Sequence, residues 1–331
     1  MNNDRADARH PASDSGAALA AAGPRSLRLP HPRAREGSPP QLWDCRDGMR
    51  RQYVVGNPGS TMTIPITTMR ARAPGELVIE RLLELQSGAR PRSRIARFLG
   101  ISPLADDNLS WYLGALGEIA VGRVLAALPA EWAVFHALPV GKRDSDIDHV
   151  VVGPAGVFVI NTKHHNNKPV WIAGGTFMVS GHSKPHLRNS AFDADRVERL
   201  LFERDLASPV VPMIALVDPR SITIKRAPKR VQVVDARRLS RWLTRRAEVL
   251  SPEVVLDVVA VLDAPANWRV ATAPDPDLLV RFERLDREVR AARGRRMLWV
   301  AGLTAAAVAG ILVLAQYAPQ LTAGYIELFT P

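Results

Sequence analysis

Residues 146–163, Asp-Ile-Asp-His-Val-Val-Val-Gly-Pro-Ala-Gly-Val-Phe-Val-Ile-Asn-Thr-Lys, form the stretch from which the fold is predicted. Two runs rich in Val, Ile and Phe flank Gly153-Pro154-Ala155-Gly156. This pattern predicts a β-hairpin, because β-branched residues favour strands while Gly and Pro favour tight turns. Both runs are apolar almost throughout, which is typical of strands that are buried on both faces.

Polar side chains interrupt this hairpin at its open end. With a four-residue loop, Val152 pairs with Val157, and counting outward places Asp148 opposite Asn161 with Lys163 one diagonal step away. A carboxylate, an amide and an ammonium then share one face. Because such groups cost several kcal/mol when they are buried without partners, we expect a local partner such as a metal ion or a polar ligand.

Composition limits the possible partners. The chain has 331 residues, 47% of them hydrophobic, which suits one or two globular domains with a sizeable core. Its net charge of +11 and pI near 10.5 favour polyanions, either nucleic acid or anionic lipid. The single Cys45 excludes an internal disulfide and a cysteine-based zinc site, and fits a reducing compartment.

The pattern along the chain predicts six segments. Pro, Arg, Ala, Gly and Ser dominate the first, without periodicity, which is typical of disorder. The segments are a disordered N-terminal region over 1–70, an amphipathic helical lead-in over 71–105, a folded domain over 106–265 with its core at 110–215, a charged linker or helix over 266–296, a transmembrane helix over 297–315 and a short tail over 316–331.

A helix ending before Pro129 is expected to pack closely on its neighbours. Gly114 and Gly117 lie inside it, and a glycine within a helix costs about 1 kcal/mol relative to Ala. A close approach of two backbones at this point would offset that cost. Glu118 is the acidic group beside it.

Strands and helices alternate through the rest of the domain, which predicts an α/β fold. A second hairpin is expected around Gly174-Gly175, because a Gly-Gly pair between two short strands favours a tight turn. Strands are predicted at 132–140, 170–173, 177–180, 210–217, 222–224 and 231–234, and helices at 189–204, 236–242 and 252–262.

Residues 218–246 carry ten basic and two acidic side chains. Such a run is compatible with an ordinary solvated face or with a surface that tracks a phosphate backbone. The nucleic-acid-binding candidates are Lys225, Arg226, Lys229, Arg230, Arg237, Arg238 and Arg241.

The stretch 297–315 contains no charged residue and is long enough to span the hydrocarbon core of a bilayer. Arg290, Arg293, Arg295 and Arg296 precede it, and only Glu327 is charged beyond it. The positive-inside rule therefore predicts a single-pass cell-membrane protein, with the folded domain in the cytoplasm and the tail from Tyr317 outside.

In order, the chain presents Gly117-Glu118 in a helix, Asp146-Ile147-Asp148-His149 opening a strand, the Gly153–Gly156 turn, and Asn161-Thr162-Lys163 on the returning strand. This constellation resembles the nuclease-related domain (NERD) family of the PD-(D/E)xK nuclease superfamily, over roughly residues 110–215. The resemblance implies a restriction-endonuclease-like α/β core with a central mixed β-sheet flanked by helices.

The resemblance also implies a magnesium or manganese site and nuclease chemistry. Glu118 and Asp148 would hold the ion, with the backbone carbonyl of Thr162 as a further ligand, and Lys163 would orient the attacking water. Asn161 departs from the superfamily pattern, in which an acidic residue stands two positions before the Lys. The accessory candidates are Asp146, His149, His164 and Asn189.

Three functions follow as alternatives. The first is a membrane-anchored, metal-dependent nuclease that hydrolyses DNA. The second is a catalytically inactive module that keeps the nuclease fold and binds nucleic acid, because Asn161 removes a charge from the site. The third is a membrane-associated scaffold that binds anionic lipid through its basic stretches.

Overall fold

The computed structural model describes residues 68–89, 91–140, 145–269 and 275–329. Residues 1–67 of the predicted disordered region, residues 90 and 141–144, residues 270–274 of the linker and the last two residues of the tail lie outside the described residues.

A mixed five-stranded sheet forms the centre of the described part of the chain. Its strands are β1 (Ala133–Val140), β2 (Ser145–Gly153), β3 (Gly156–His164), β7 (Val210–Val217) and β9 (Gln232–Asp235), in the spatial order β1-β2-β3-β7-β9. The β1–β2 and β2–β3 pairs are antiparallel, whereas β3–β7 and β7–β9 are parallel. The predicted α/β class with a central mixed sheet is therefore confirmed.

The hairpin has the predicted register, since Val152 pairs with Val157 and Gly153 with Gly156. Val150, Val152, Val157 and Val159 face one core cluster, while Val151, Phe158 and Ile160 face another. Both faces of the hairpin are buried because helices cover the sheet on each side.

Helices cover both faces of this sheet. The helices are α1 (Glu76–Ser87), α2 (Arg94–Phe98), α3 (Leu109–Leu125), α4 (His186–Phe202), α5 (Leu239–Thr244), α6 (Pro252–Asp263) and α7 (Leu278–Phe329). The apolar residues of α4 and α6 pack on the Val150 face, and those of α3 and α5 pack on the Phe158 face. Helix α4 begins three residues before the predicted start at 189, with Pro185 at the N-cap position.

A separate four-stranded sheet contains β4 (Pro169–Ala173), β5 (Thr176–Val179), β6 (His182–Ser183) and β8 (Ser221–Arg226), in the order β6-β5-β4-β8. The predicted second hairpin is β4–β5, and β8 joins it in parallel across a long crossover. Its apolar residues meet Ile214 and Leu216 of the central sheet.

Helix α7 continues without a break from the charged segment into the apolar stretch. Its first part packs against α1 and α3 through Leu278 and Phe282. Among the described residues, it is the one helix long and apolar enough to cross a membrane, and no residue in its most apolar part is buried.

Candidate active site

Close contact between α3 and β3 positions Glu118. A Cβ on Gly117 would lie 3.1 Å from the Cβ of His164 and 3.3 Å from the Cγ2 of Thr162. A Cβ on Gly122 would lie 2.6 Å from Pro74, so the helix is tightly packed at two points. As a result, Glu118, which follows Gly117 in the chain, is only 4% exposed.

The hairpin strands separate at the site. Pairing between β2 and β3 ends at His149 and Ile160, whereas β2 continues its pairing with β1 as far as Ser145. The backbone N–H of Thr162 donates instead to the Asp148 carboxylate, at 2.6 Å from Oδ2. Asp148 therefore satisfies a backbone donor that the neighbouring strand leaves free, and its position lies one step beyond the His149–Ile160 pair, opposite Asn161.

Glu118, Asp146 and Asp148 form a cluster of three carboxylates. Ionisation of each side chain is disfavoured in this cluster. Burial is the largest cause of the raised pKa of each side chain, and it raises the pKa of Asp146 to about 7. Repulsion from Asp148 raises the pKa values of Glu118 and Asp146 further, whereas Lys163 lowers all three. Mutual repulsion at short range in a buried site is what a bound cation would relieve.

Unsatisfied oxygen atoms mark the same place. Glu118 Oε2, Asp146 Oδ2 and Asn161 Oδ1 are buried and have no hydrogen-bond partner. Buried acceptors are normally paired, so three in one site indicate a missing donor or cation. Among the described residues, no three His, Cys, Asp or Glu side chains are grouped so that they could hold a metal ion alone. An ion here would need amide, backbone or water oxygens as well, which is the kind of coordination that Mg²⁺ uses.

Lys163 lies on the same face of β3 as Asn161. Its Nζ donates to the backbone carbonyl of Thr162 at 2.9 Å. That carbonyl is the predicted backbone ligand, and one of its two lone pairs is thereby occupied. The ammonium keeps two further donors for a water molecule or a phosphate oxygen.

Asp193 of α4 is a site residue that the sequence analysis missed. The Nδ2 of Asn161 donates to Asp193 Oδ2 at 3.1 Å. Burial raises the pKa of Asp193 to about 6, and repulsion from Asp148 contributes to this rise. The available signal was its helical position, since Asp193 lies between the buried Ser190 and Val197 on the inner face of α4.

The accessory candidates separate into two groups. Asn189 is exposed, but it lines a cleft of about 440 Å³ together with Asp146, Asn161 and Asp193. Arg188 and Arg196, which the sequence analysis also missed, lie on the same cleft. Two guanidinium groups therefore share the cleft lining with the carboxylates of Asp146 and Asp193.

The two accessory histidines, His149 and His164, lie outside this cleft. His149 is fully buried and its Nδ1 lies 2.8 Å from the Nδ1 of His136, and burial lowers its pKa well below the ordinary range. It is on the α3 face of β2, opposite to Asp148, because side chains alternate along a strand. His164 connects β3 to α3, because its Nδ1 lies 2.8 Å from the Leu113 carbonyl. Its Nε2 lies 3.6 Å from Asp218 Oδ2.

The predicted nucleic-acid-binding residues lie on β8, the following turn and the segment around α5, and all are exposed. Arg230 forms ion pairs with Asp195 and Glu198, and Arg237 forms one with Asp235. These two cations are partly neutralised within the protein. Exposed ion pairs of this kind are weak and compatible with exchange for a phosphate.

Comparison with known proteins identifies one family. The model of the nuclease-related domain family matches residues 113–217, which is less than half of the chain. The matched segment begins inside α3 and ends with β7, so it contains the three carboxylates, Asn161, Lys163 and Asp193. Searches of curated proteins and of solved structures found no match.

Proposed function

We propose that the nuclease-related domain of this chain is a divalent-metal-dependent nuclease that hydrolyses DNA phosphodiester bonds. The observation that carries the proposal is the set of buried, unpartnered oxygens on Glu118, Asp146 and Asn161, close to the Lys163 ammonium that lowers the pKa of both acids. Asp146 and Asn161 also line the cleft that contains Arg188 and Arg196. Acidic oxygens and a lysine in one buried cluster fit a cation and a phosphodiester better than they fit a purely structural role.

Glu118 and Asp148 would hold Mg²⁺ or Mn²⁺, with water completing the coordination. When bound, the ion supplies positive charge at the scissile phosphate and lowers the pKa of a bound water. The orphaned Glu118 Oε2 and the mutual repulsion of the carboxylates support this assignment.

Asp193 would supply the negative charge that Asn161 lacks. The amide of Asn161 holds Asp193 through one hydrogen bond and leaves its own Oδ1 free toward the site. The pair thus offers a neutral oxygen backed by a carboxylate, where the superfamily pattern has a single acidic side chain.

Lys163 would donate to the attacking water or to a non-bridging phosphate oxygen. Its Nζ is already held at the site by the Thr162 carbonyl, so little side-chain entropy remains to be lost when it binds substrate. Arg188 and Arg196 at the rim would contact the flanking phosphates.

The test is cleavage of plasmid and single-stranded DNA by the full chain in detergent micelles, with Mg²⁺ or Mn²⁺. We expect Asp148→Ala and Lys163→Ala to lose at least about 100-fold in rate, as is usual for groups that stabilise a transition state. Asp257→Ala, on the exposed face of α6, and Lys168→Ala, in the turn after β3, are the matched controls and should cut like the parent. Cutting that survives both site variants would refute the assignment.

A charge exchange tests Asp193 separately. Asp193→Asn should weaken Mn²⁺ binding, measured by calorimetry, because it removes a charge from the site. Adding Asn161→Asp to that variant should restore the affinity, since the charge returns on the neighbouring side chain. If the double variant binds Mn²⁺ no better than Asp193→Asn, Asp193 has only a structural role.

The alternative is a catalytically inactive nucleic-acid-binding module with the same fold. Asn161 favours it, because a neutral side chain weakens a metal site and no group of three ligating side chains compensates among the described residues. Salt-sensitive DNA binding without metal-dependent cutting would establish this second function.

We also propose that α7 anchors the protein in the cell membrane as a single span. The exposed apolar part of the helix and the arginines before it support a cytoplasmic domain and an outer C-terminus. A reporter fused after Pro331 should be active only outside the cytoplasm, and cytoplasmic activity would refute the orientation.

A further inference from the structure

Helix α2 and the residues after it expose apolar side chains that a soluble surface seldom carries. Ile95 is 70% exposed and Phe98 61% exposed, and Leu99 and Ile101 are also exposed. The exposed patch is formed by Ile95, Phe98, Leu99 and Ile101, and we call it the α2 patch. A contiguous apolar patch of this kind indicates an interaction surface.

The α2 patch is held beside the beginning of the apolar stretch of α7. The Nε1 of Trp299 donates to the Phe98 carbonyl at 3.0 Å, and the two rings meet edge to face with centroids 5.0 Å apart. Gly100, with a φ of +74°, lies so close to α7 that an added Cβ would be 2.6 Å from the Ala292 carbonyl and the Arg296 nitrogen. The patch therefore lies at the height where α7 would enter a bilayer.

A basic cleft of about 660 Å³ separates α2 from the charged part of α7. Arg92 crosses it, with an ion pair to Glu288 at 2.6 Å and a hydrogen bond to the Ile101 carbonyl at 3.0 Å. The Nε of Arg295 is buried in this region without a hydrogen-bond partner. Among the described residues, the charged lining of the cleft consists of Arg92, Arg97, Arg284, Arg287, Arg295 and Glu288.

We propose that this cleft binds the phosphate groups of anionic phospholipids in the leaflet next to the folded domain, while the α2 patch inserts among their acyl chains. Guanidinium groups bind phosphate oxygens in pairs of hydrogen bonds, and Arg92 already neutralises the one acidic group of the lining. An apolar patch beside a basic cleft fits a lipid, which is charged at one end and apolar at the other. A nucleic acid would use the charges but would leave the patch exposed.

This inference is independent of nuclease activity, since no group of the active-site cleft lines the basic cleft. It adds to the membrane anchor a preference for one lipid class and a second contact with the bilayer. The second contact would restrict rotation of the folded domain about α7 and hold it against the membrane surface.

The test uses the full chain in vesicles that contain either brominated phosphatidylglycerol or brominated phosphatidylcholine. Bromine quenches the fluorescence of Trp299. The ratio of the quenching by the two brominated lipids therefore measures which lipid is enriched beside α2. We expect the parent to prefer phosphatidylglycerol about fivefold or more, because one basic residue near an anionic surface already changes affinity by about that factor. Trp299→Phe identifies the part of the signal that comes from this residue.

The triple variant Arg97→Gln, Arg287→Gln and Arg295→Gln should lose the preference. The same three positions changed to Lys should keep most of it, which separates the loss of charge from a packing defect. A matched triple Gln variant at Arg123, Lys168 and Arg199, which are exposed away from the cleft and outside the basic stretch 218–246, is the charge control.

Three results would overturn the proposal. One is equal quenching by both lipids in the parent, and another is an unchanged preference in the Gln triple variant. The third is loss of the preference in millimolar inorganic phosphate or a DNA oligonucleotide, because the cleft would then be a site for free anions or nucleic acid.

Discussion

Neutralising Asp146 should stabilise the folded protein at pH 8 in the absence of divalent ions. Burial and Asp148 raise the pKa of Asp146 from 3.8 to about 7. A shift of that size corresponds to about 4 kcal/mol of destabilisation when the carboxylate is ionised in the fold. Asp146→Asn removes the charge and keeps the shape, so we expect it to be more stable than the parent by about 2 to 4 kcal/mol at pH 8.

The pH dependence follows from the direction of the shift. Because the folded state holds the proton of Asp146 more tightly than the unfolded state, the stability of the parent rises as pH falls through about 7. Between pH 8 and 6.5 this single group contributes about 1 kcal/mol. Burial also lowers the pKa of His136 to about 4, so that group loses stability as pH falls through about 6.5, and the effect of Asp146 is therefore taken from the difference between the parent and Asp146→Asn.

The measurement is urea unfolding of the full chain in micelles, followed by tryptophan fluorescence at both pH values. From pH 8 to 6.5, the stability of the parent should change by about 1 kcal/mol more in the favourable direction than that of Asp146→Asn. Millimolar Mg²⁺ at pH 8 should stabilise the parent, because the ion offsets the repulsion that ionisation creates. The reasoning fails if the variant is no more stable than the parent at pH 8 and the difference between the two proteins does not change between the two pH values.

Three further substitutions test how packing positions the site. Gly117→Ala should reduce any metal-dependent activity about tenfold, since a displacement of a fraction of an ångström moves the adjacent carboxylate, whereas Gly114→Ala, whose Cβ has room, should be active in the same cleavage assay. Gly153→Ala should lower the free energy of unfolding by about 2 to 3 kcal/mol, because its Cβ would lie 2.4 Å from the ring of Trp132; an unchanged urea midpoint would contradict this packing. Tyr112→Phe, which removes a hydrogen bond to a buried carboxylate, should lower it by about 1 to 3 kcal/mol in the same titration.

Much of the hairpin site was predictable from the sequence. Strand side chains alternate with a period of two, so the turn alone determined that Asp148 lies across from Asn161 and that Lys163 shares their face. The two glycines of α3 likewise predicted a close helix contact, and the structure shows this contact at Gly117. These are local consequences of the chain, and a sequence records them directly.

Distances between segments far apart in the chain were not predictable in this way. The separate second sheet requires β8 to pair with β4 across some fifty residues, and no local pattern specifies such a partner. The role of Asp193 depends on how α4 packs against β3, since its sequence position shows only a carboxylate on an inner helix face. The surroundings of His149 were not predictable for the same reason, because its contact with His136 lies on the other side of the sheet from Asp148.

The sequence by itself thus determined the fold class, the hairpin with its polar open end and the apolar stretch of α7, because periodicity and composition act locally. Only the tertiary structure determined which charged and polar groups lie close together. It placed Asp193 behind Asn161, left three buried oxygens without donors, and brought α2 with its arginines to the start of the apolar helix. Electrostatic energy depends on distance through space, and it is the packing of the helices that sets those distances.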